Sequence, residues 1–443
     1  MAKPITPGRF PIRIGGNPVL RMPVKTGMWS TDYNRWVTDT FFVGREQPHI
    51  KRALILLHGG SENRRADVYE LRGKDAAEQA GKEQETLVIA PDLLREGELN
   101  TEYSSLLDLR HEPGLIHWKK GGMFSGSYSQ LEAATPAESF SPLDAEQLGP
   151  ISPRNGQVGI LEVLNQIVSY LVKSGDFPSL RSIVIAGQSG GGNTVARYAA
   201  LGLFDPAALP AGGDGASRTV VPRPNGSQVE VSYLVMSATF LYFDDRRFQL
   251  STAAPNRRPL HRETEFTDAI GLTAYPSTFV IPSEGQLAWA LQQEGSTRTV
   301  DWLRKRYNSY EYGTDGLVDE GTGDPHYASS FGALQARLNF AQRRVTILAG
   351  SKDFEPAVFP HRNLQGVNAA HRALLYREHL KEIGVWSDNR HTVKIIDGEG
   401  HNGRKLMLSQ PGEAALFPSI SQPAPGPLRP TPTVDEVPLQ PRP

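Results

Sequence analysis

Six short apolar runs constrain the fold of this chain more than any other feature. Each run has four to six residues, most are rich in β-branched residues, and each is soon followed by Gly, Pro or Ser. This pattern is typical of strands that are buried on both faces of a parallel sheet. The runs are residues 53–57, 87–90, 183–186, 231–236, 345–349 and 393–396.

Helical patterns lie between these runs. Apolar residues from Val158 to Leu171 repeat at spacings of three and four, and the stretches 194–203 and 369–383 also favour helices. Strands that alternate with helices predict βαβ units, and therefore an α/β fold with a doubly wound, mostly parallel sheet. Shorter extended patterns at 23–29 and 38–43 predict antiparallel edge strands before that sheet.

Two long stretches interrupt the alternation, at about 95–150 and 244–340. Structureless segments of such length are rare in compact domains unless they are functional, so both are candidate lid or cap insertions. We therefore expect one catalytic domain over residues 1–417. Residues 418–443 differ, because eight prolines fall between Pro423 and Pro443. They predict an extended, polyproline-type or disordered tail.

Composition excludes several kinds of function. The chain has 47 basic and 48 acidic residues, a formal net charge of -1, so nucleic acid is not expected as its main partner. It has no cysteine, which excludes disulfides, cysteine nucleophiles and Cys-ligated metal sites. We find no apolar stretch long enough for a membrane span and no signal peptide in MAKPITPGRF. The expected location is cytoplasmic, with export by another route left open.

The segment SIVIAGQSGGGNTVARYAALG carries the chemistry. The apolar run 183–186 leads into a G-x-S-x-G pattern from Gly187 to Gly191, and an Ala-rich helical segment follows. In this strand–turn–helix setting the pattern predicts a strained turn that exposes the hydroxyl of Ser189 above the sheet. Gly187 and Gly191 lack a Cβ, so that strand and helix can pack closely on either side.

A serine hydroxyl needs a base to become a nucleophile, and that base needs an orienting carboxylate. Asp353 follows the run 345–349, and His401 follows the run 393–396. Both should lie past the carboxyl ends of parallel strands, at the same edge of the sheet as Ser189. We therefore predict Ser189, His401 and Asp353 as nucleophile, base and acid.

Alternatives remain open for the acid, which could be Asp244 or Asp245 after the run 231–236, or less favourably Glu355. Other histidines are weaker candidates for the base. His391 precedes its strand and should face the opposite edge, whereas His371 and His379 should be surface residues of a helix.

An oxyanion hole needs two backbone N–H groups. We expect the first from Gly190, directly after the nucleophile, and the second from the loop after the first parallel strand, where Gly60 is the preferred donor and Ser61 the second choice. His58 in that loop is interpreted as a structural residue.

No cofactor or metal ion is expected. Residues 398–403 match G-x-G-x-x-G, but the helix, further strand and acidic residue of a dinucleotide site do not follow, and a phosphate-binding G-x-x-x-x-G-K-[ST] does not occur. No H-E-x-x-H or comparable zinc-ligand spacing occurs either.

The chain resembles the α/β-hydrolase superfamily from about residue 52 to 417. The resemblance rests on LILLHGG (54–60), VIAPDL (88–93), GQSGGG (187–192), ILAGSKD (347–353) and DGEGHNG (397–403). Further segments, among them SENRRADVYE (61–70), look like a bacterial and fungal group of poorly defined substrate. Members of that group carry Asp where this chain has Asn402, a difference that should not affect proton transfer. The resemblance implies an esterase-like activity without a cofactor.

Together these observations predict a serine hydrolase that acts on a small-molecule carboxylic ester. Two alternatives stay open at this point: a serine peptidase or amidase with the same three residues, and a binding protein that retains the fold but has lost turnover. The sequence leaves the oligomeric state undetermined.

Overall fold

The computed structural model describes the central part of the chain and its N-terminal strands. The described residues are 12–14, 17–23, 33–38, 46–59, 66–91, 93, 118, 159–202, 220–223, 227–248, 279–308, 312–314, 332–353, 360–366 and 368–420. The strands are β1 (Ile12–Ile14), β2 (Asn17–Pro23), β3 (Tyr33–Thr38), β4 (Arg52–Leu57), β5 (Thr86–Pro91), β6 (Ser182–Gln188), β7 (Val220–Pro222), β8 (Gln228–Met236), β9 (Arg247–Phe248), β10 (Phe279–Val280), β11 (Arg344–Gly350) and β12 (His391–Ile396).

The helices flank these strands along the chain. They are α1 (Ala66–Gln79), α2 (Ile160–Lys173), α3 (Gly190–Leu201), α4 (Glu284–Glu294), α5 (Val300–Arg304), α6 (Gly332–Gln342), α7 (Pro360–Asn363), α8 (Ala369–Glu382), α9 (Gly403–Leu408) and α10 (Gln410–Leu416). Within the described residues, none of these helices combines the length and the apolar character that a bilayer crossing requires.

Six of the strands form a parallel sheet in the order β5-β4-β6-β8-β11-β12. Each of the six predicted apolar runs lies within one of them, which confirms that part of the sequence analysis. The antiparallel extension also exists: β1, β2 and β3 continue the sheet beyond β5. Of the stretch 23–29 that was expected to be extended, the structure describes Pro23, the last residue of β2, and of the stretch 38–43 it describes Thr38, the last residue of β3. Residues 24–29 and 39–45 lie outside the described part.

Both faces of the sheet are covered. Ala53, Ile55 and Leu57 of β4 pack into one buried cluster with α2, α3, α6 and α8, whereas Leu54 and Leu56 pack into a second cluster with α1, α9 and α10. Alternate residues of one strand therefore enter opposite cores, which explains why the run is apolar throughout. This arrangement, a mostly parallel sheet with helices on both faces, is the predicted doubly wound α/β fold.

Helix α2 is more deeply buried than its sequence predicts. The apolar spacing predicts one buried face, but every residue from Ile160 to Val172 is buried. Two of its polar side chains have hydrogen-bond partners: Glu162 accepts from the backbone N–H of Gly159 at 2.7 Å, and Asn165 accepts from the hydroxyl of Tyr198 at 2.9 Å. Polar residues on a buried face are tolerated where such partners exist.

The described part of the predicted 244–340 insertion has an apolar cluster of its own, between α4, α5 and the residues after α7. Arg247 connects this cluster to the main body. Its buried guanidinium lies over the ring of Tyr242 at 4.5 Å and donates to the carbonyl oxygens of Tyr307 and Tyr312 and to the side chain of Asn308. Of the other predicted insertion, 95–150, the described part is Trp118, which is fully buried in the main cluster.

The insertion buries part of α8, as the surroundings of His379 show. The expectation of a surface position is wrong for His379, which is fully buried between the rings of Tyr242, Tyr376 and Phe279. Phe279 belongs to the insertion, whose cover a local helical pattern cannot reveal. His371, on the same helix, is half-buried against Phe248.

Burial lowers the pKa of His379 to about 3, against a weaker opposing effect of the Asp244 carboxylate, which lies 3.7 Å from Nε2. Between pH 6.5, the ordinary pKa of histidine, and about pH 3, the unfolded chain binds a proton at His379 that the folded chain does not bind. The free energy of unfolding should therefore fall as the pH falls from 6.5 towards 3. The loss should reach ~1.4 kcal/mol per pH unit for this histidine.

Urea denaturation of wild type and His379→Phe between pH 7.5 and 5 measures this effect, since the variant should have the shallower pH dependence. His49→Gln is the matched control, because it removes an exposed histidine in place of a buried one. Equal slopes for wild type and His379→Phe would contradict the assignment.

Candidate active site

The turn between β6 and α3 carries Ser189. Its backbone has φ 57° and ψ −119°, a conformation that non-glycine residues rarely adopt. The turn is fixed on both sides, because the Ser189 N–H donates to the carbonyl of Met236 at 2.9 Å and the Asn193 N–H donates to the carbonyl of Ser189 at 2.9 Å. Ser189 is half-buried, whereas Gln188 and Gly190 beside it are buried. The predicted strained turn is therefore present at the predicted residue.

Glycines allow the helix to begin directly against the strands. A Cβ at Gly187 would lie 2.4 Å from the carbonyl oxygen of Gly191, and a Cβ at Gly191 would lie 2.3 Å from that of Leu57 and 2.6 Å from that of His58. These atoms belong to the backbone and cannot rotate away. The tight approach of α3 to β4 and β6 therefore requires glycine at both positions.

A single methyl group added at Gly191 should destabilise the protein, because it would clash with backbone atoms. We expect Gly191→Ala to lower the free energy of unfolding by ~2 kcal/mol or more, because backbone atoms of Leu57 and His58, at the end of β4, must move. Chemical denaturation measures the change. Gly285→Ala is the matched control: it lies in α4, where a Cβ would be 3.9 Å from the nearest atom, and alanine there should be neutral or stabilising. Comparable losses in the two variants would refute the steric explanation.

Asp353 and His401 form a hydrogen-bonded pair past the ends of β11 and β12. His401 Nδ1 lies 2.9 Å from Asp353 Oδ2 and 3.1 Å from Oδ1. The Asp353 side chain is fully buried, whereas 19% of the His401 side chain is exposed. A hydrogen bond from Nδ1–H to the carboxylate leaves Nε2 as the ring atom that can accept a proton.

Backbone contacts hold the loops of this pair together. The Lys352 N–H donates to the carbonyl of Glu399 at 2.7 Å, and the Ser351 hydroxyl donates to Asp397 at 3.2 Å while it accepts from the Gly398 N–H at 2.8 Å. These bonds join the loop after β11 to the loop after β12. They therefore fix the distance between Asp353 and His401.

The loop that carries His401 also reaches the Ser189 turn, although β8 and β11 lie between β6 and β12. The contact is made by Gly403, where a Cβ would lie 3.1 Å from Cγ of Gln188. Asn402, which lies between His401 and Gly403 in the sequence, caps α9 by accepting a hydrogen bond from the Lys405 N–H at 3.2 Å. The structure thus brings the segments that carry Ser189, Asp353 and His401 to one edge of the sheet.

The predicted oxyanion donors are only partly within the described residues. Gly190 is the first residue of α3, so the helix itself offers no acceptor for its N–H. Gly60 and Ser61 lie outside the described residues. Gly59, just before them, is in place: a Cβ there would be 3.3 Å from Cβ of Ser189. The described start of the loop after β4 therefore lies against the Ser189 turn.

His58 is a structural residue, as its sequence context predicts. The backbone N–H of Leu93 donates to Nε2 at 3.0 Å, which leaves Nδ1 to donate to the carbonyl of Gly59, also at 3.0 Å. Both ring nitrogens are engaged, so that His58 joins the loop after β4 to the end of β5. His391 likewise behaves as expected, since it begins β12 at the opposite edge.

The alternative acids have other surroundings. The carboxylate of Asp244 accepts from Arg246 Nε at 2.9 Å and from the Arg246 backbone at 3.0 Å. It therefore faces Arg246 and the buried His379, while His401 is bonded to Asp353. Glu355 lies outside the described residues. Across the described ranges, the acidic and histidine side chains form no group of three suited to a metal ion.

Two contacts at the site escape sequence analysis. The hydroxyl of Tyr69 on α1 donates to Oε1 of Gln188 at 2.8 Å, across 119 positions of the chain. The side chain of Asn193 accepts from the backbone N–H of Thr239 at 2.7 Å. Tyr69 lies within SENRRADVYE, which carries part of the family resemblance, but no spacing rule connects it to the G-x-S-x-G pattern.

The strand order and the serine turn define the class of the protein as one with the α/β-hydrolase fold. No protein-family model matches the chain. No curated protein matches it either.

Solved structures with similarity to the chain include three hydrolases. A poly(aspartic acid) hydrolase-1 from Sphingomonas sp. KT-1 is 13% identical, with 89% of this chain and 98% of that one covered and a TM-score of 0.44. The poly(3-hydroxybutyrate) depolymerase LpqC from Bordetella parapertussis is 13% identical, with 88% of each chain covered and a TM-score of 0.41. An S-formylglutathione hydrolase from Agrobacterium tumefaciens is 10% identical, with 90% and 95% covered and a TM-score of 0.35.

Proposed function

We propose that the protein is a serine hydrolase that cleaves a small-molecule carboxylic ester through an acyl-enzyme intermediate. Ser189 is the nucleophile, His401 the general base and acid, and Asp353 the residue that orients His401. The observation that carries the proposal is the combination of a strained serine turn at the end of β6 with a histidine–carboxylate pair past β11 and β12. A serine, a base and an orienting carboxylate are the minimum that acyl transfer of this type requires.

In the first half of the reaction, Ser189 Oγ attacks the carbonyl carbon while His401 Nε2 takes the hydroxyl proton. The tetrahedral intermediate collapses when the bond from carbon to the alcohol oxygen breaks, and His401 returns its proton to the leaving alcohol. Asp353 accepts the hydrogen bond from Nδ1 throughout. Its buried negative charge fixes the tautomer and stabilises the imidazolium that forms between the two transfers.

In the second half, His401 takes a proton from water, and the resulting hydroxide-like oxygen attacks the acyl carbon bound to Ser189. The carbon–Oγ bond then breaks, Oγ regains the proton from His401, and the carboxylic acid leaves. In both halves the negative charge develops on the carbonyl oxygen. We assign its stabilisation to the N–H of Gly190 and to a second N–H from the loop after β4, with Gly60 preferred over Ser61.

An ester is the preferred substrate bond because an alkoxide leaving group demands less protonation than an amine does. We assign the binding of an apolar acyl or alcohol group to the aromatic-rich insertion, whose half-buried Trp289 and Trp302 pack against its own apolar cluster. A serine peptidase or amidase would use the same three residues and remains the second candidate, and a silent binding protein the third.

Removal of the nucleophile or the base should abolish turnover. Ser189→Ala and His401→Ala should each reduce kcat on p-nitrophenyl acetate by about 10³- to 10⁶-fold with folding intact, and the double variant should lose little more, because the residues act as a unit. The corresponding p-nitroanilide is assayed in parallel. Faster cleavage of the anilide would favour the amidase, and failure of folded wild type to react with a fluorophosphonate at Ser189 would favour the silent binding protein.

The choice of acid can be tested separately. Asp353→Asn should lower kcat by about 10³- to 10⁴-fold, because the amide no longer favours the productive tautomer of His401. Asp244→Asn is the matched control. It removes the carboxylate that faces Arg246 and should change kcat by less than about twofold, since surface ion pairs act locally. The reverse pattern in steady-state kinetics would move the acid to Asp244.

A further inference from the structure

Gln188 is the point at which three parts of the candidate site meet. It is the last residue of β6, directly before Ser189, and its side chain is buried. A Cβ at Gly403 would contact its Cγ, on the side of the histidine loop, and a Cβ at Gly59 would lie 3.2 Å from its carbonyl oxygen, on the side of the loop after β4. Gln188 therefore contacts the Ser189 turn, the loop that carries His401 and the start of the loop after β4.

Tyr69 fixes the orientation of the Gln188 side chain through one hydrogen bond. Its hydroxyl donates to Gln188 Oε1 at 2.8 Å, and its ring is 2% exposed. Burial raises the pKa of the Tyr69 hydroxyl, against the lowering effects of Arg72 and of the Gly59 backbone. The hydroxyl is thus protonated at neutral pH and can act as the donor.

Tyr69 also contacts the start of the oxyanion loop. Its ring meets the ring of His58 edge-on, with 6.3 Å between centroids. His58 in turn is bound to the Gly59 carbonyl and to the backbone of Leu93. One side chain from α1 therefore touches both the residue before the nucleophile and the loop that leads to Gly60 and Ser61.

On the proposed hydrolase function, we infer that Tyr69 is a positioning residue for the oxyanion hole. Its hydroxyl bond to Gln188 and its contact with His58 hold His58 and Gly59, the described start of the loop after β4, in place beside the Ser189 turn. Stabilisation of the transition state depends on donors that are fixed before the reaction, and displacements near 1 Å cost about 10²-fold in rate. Binding of the ground-state ester depends far less on this alignment. The residue should therefore influence kcat and leave KM nearly unchanged.

Tyr69→Phe removes only the hydroxyl and leaves the ring. We expect kcat on p-nitrophenyl acetate to fall about 10- to 100-fold, KM to change less than about threefold, and the rate of fluorophosphonate labelling of Ser189 to fall in parallel with kcat. Tyr198→Phe is the matched control. It removes another buried tyrosine hydroxyl that donates to an amide oxygen, that of Asn165 at 2.9 Å, at the far end of α3.

Both variants lose one buried hydrogen bond, so both should be destabilised to a similar extent in urea, but only Tyr69→Phe should lose kcat. Unchanged kcat in Tyr69→Phe, or an equal loss of kcat in Tyr198→Phe, would overturn the inference. Gln188→Met provides the second variant, because it removes the acceptor at similar length. It should reproduce the loss, and the double variant should lose little beyond either single change.

The positioning role and the hydrolase function fail in different ways. If wild type and Ser189→Ala hydrolyse the ester equally, or neither does, the proposed function is wrong and the positioning role is lost with it. If wild type is active, Ser189→Ala is inactive and Tyr69→Phe matches wild type, the hydrolase function stands and only the role of Tyr69 is refuted.

Discussion

The close approach of α3 to the sheet is the constraint on which the rest of the site depends. Because Gly187 and Gly191 carry no Cβ, the helix can begin within van der Waals distance of the backbone of β4 and β6. Ser189 is the single residue between the end of β6 at Gln188 and the start of α3 at Gly190. Its backbone has a positive φ, which allows the sharp change of chain direction. Its strain is sustained by the ladder bond to Met236 on the neighbouring strand. The sheet therefore determines the backbone position of Ser189.

The sheet also determines where the other two residues lie. Parallel strands end at the same edge, so side chains that follow β11 and β12 appear at the same level as Ser189. They come from strands two and three places away from β6, and the histidine loop must therefore cross back over β11 and β8. Bonds between that loop and residues 351–352, together with the contact between Gly403 and Gln188, stabilise this crossing. The buried carboxylate of Asp353 depends on the same crossing, because His401 supplies its hydrogen bond.

Sequence reasoning succeeded where the determinant was local or followed from strand order. The six parallel strands could be predicted because burial on both faces makes each run apolar throughout. The shared direction of parallel strands brings the segments of Ser189, Asp353 and His401 to one edge, and the catalytic roles of these residues stay a prediction. Sequence reasoning failed where burial came from a distant segment. Cover by Phe279 puts His379 in the interior, and the bond from Tyr69 to Gln188 joins residues 119 positions apart. Neither leaves a periodic signal, because helical spacing reports one face of a helix and not what later packs upon the other.

The far end of α3 completes the electrostatic argument for the site. Arg343 is buried, and its guanidinium donates to the carbonyl oxygens of Tyr198 at 2.7 Å, Ala199 at 2.9 Å and Gly202, at the C-terminus of the helix that begins beside Ser189. A cation at this end compensates the partial negative charge of the helix and satisfies carbonyl groups that the helix leaves unbonded. The partial positive charge at the other end remains next to Ser189, where the oxyanion of the proposed reaction would form. Arg343 and Gly191 thus fix the same helix at its two ends, one by charge and one by the absence of a side chain. On the proposed mechanism, a helix held in this way presents the N–H of Gly190, the proposed oxyanion donor, without reorganisation, which is the condition under which a single donor contributes most to the rate.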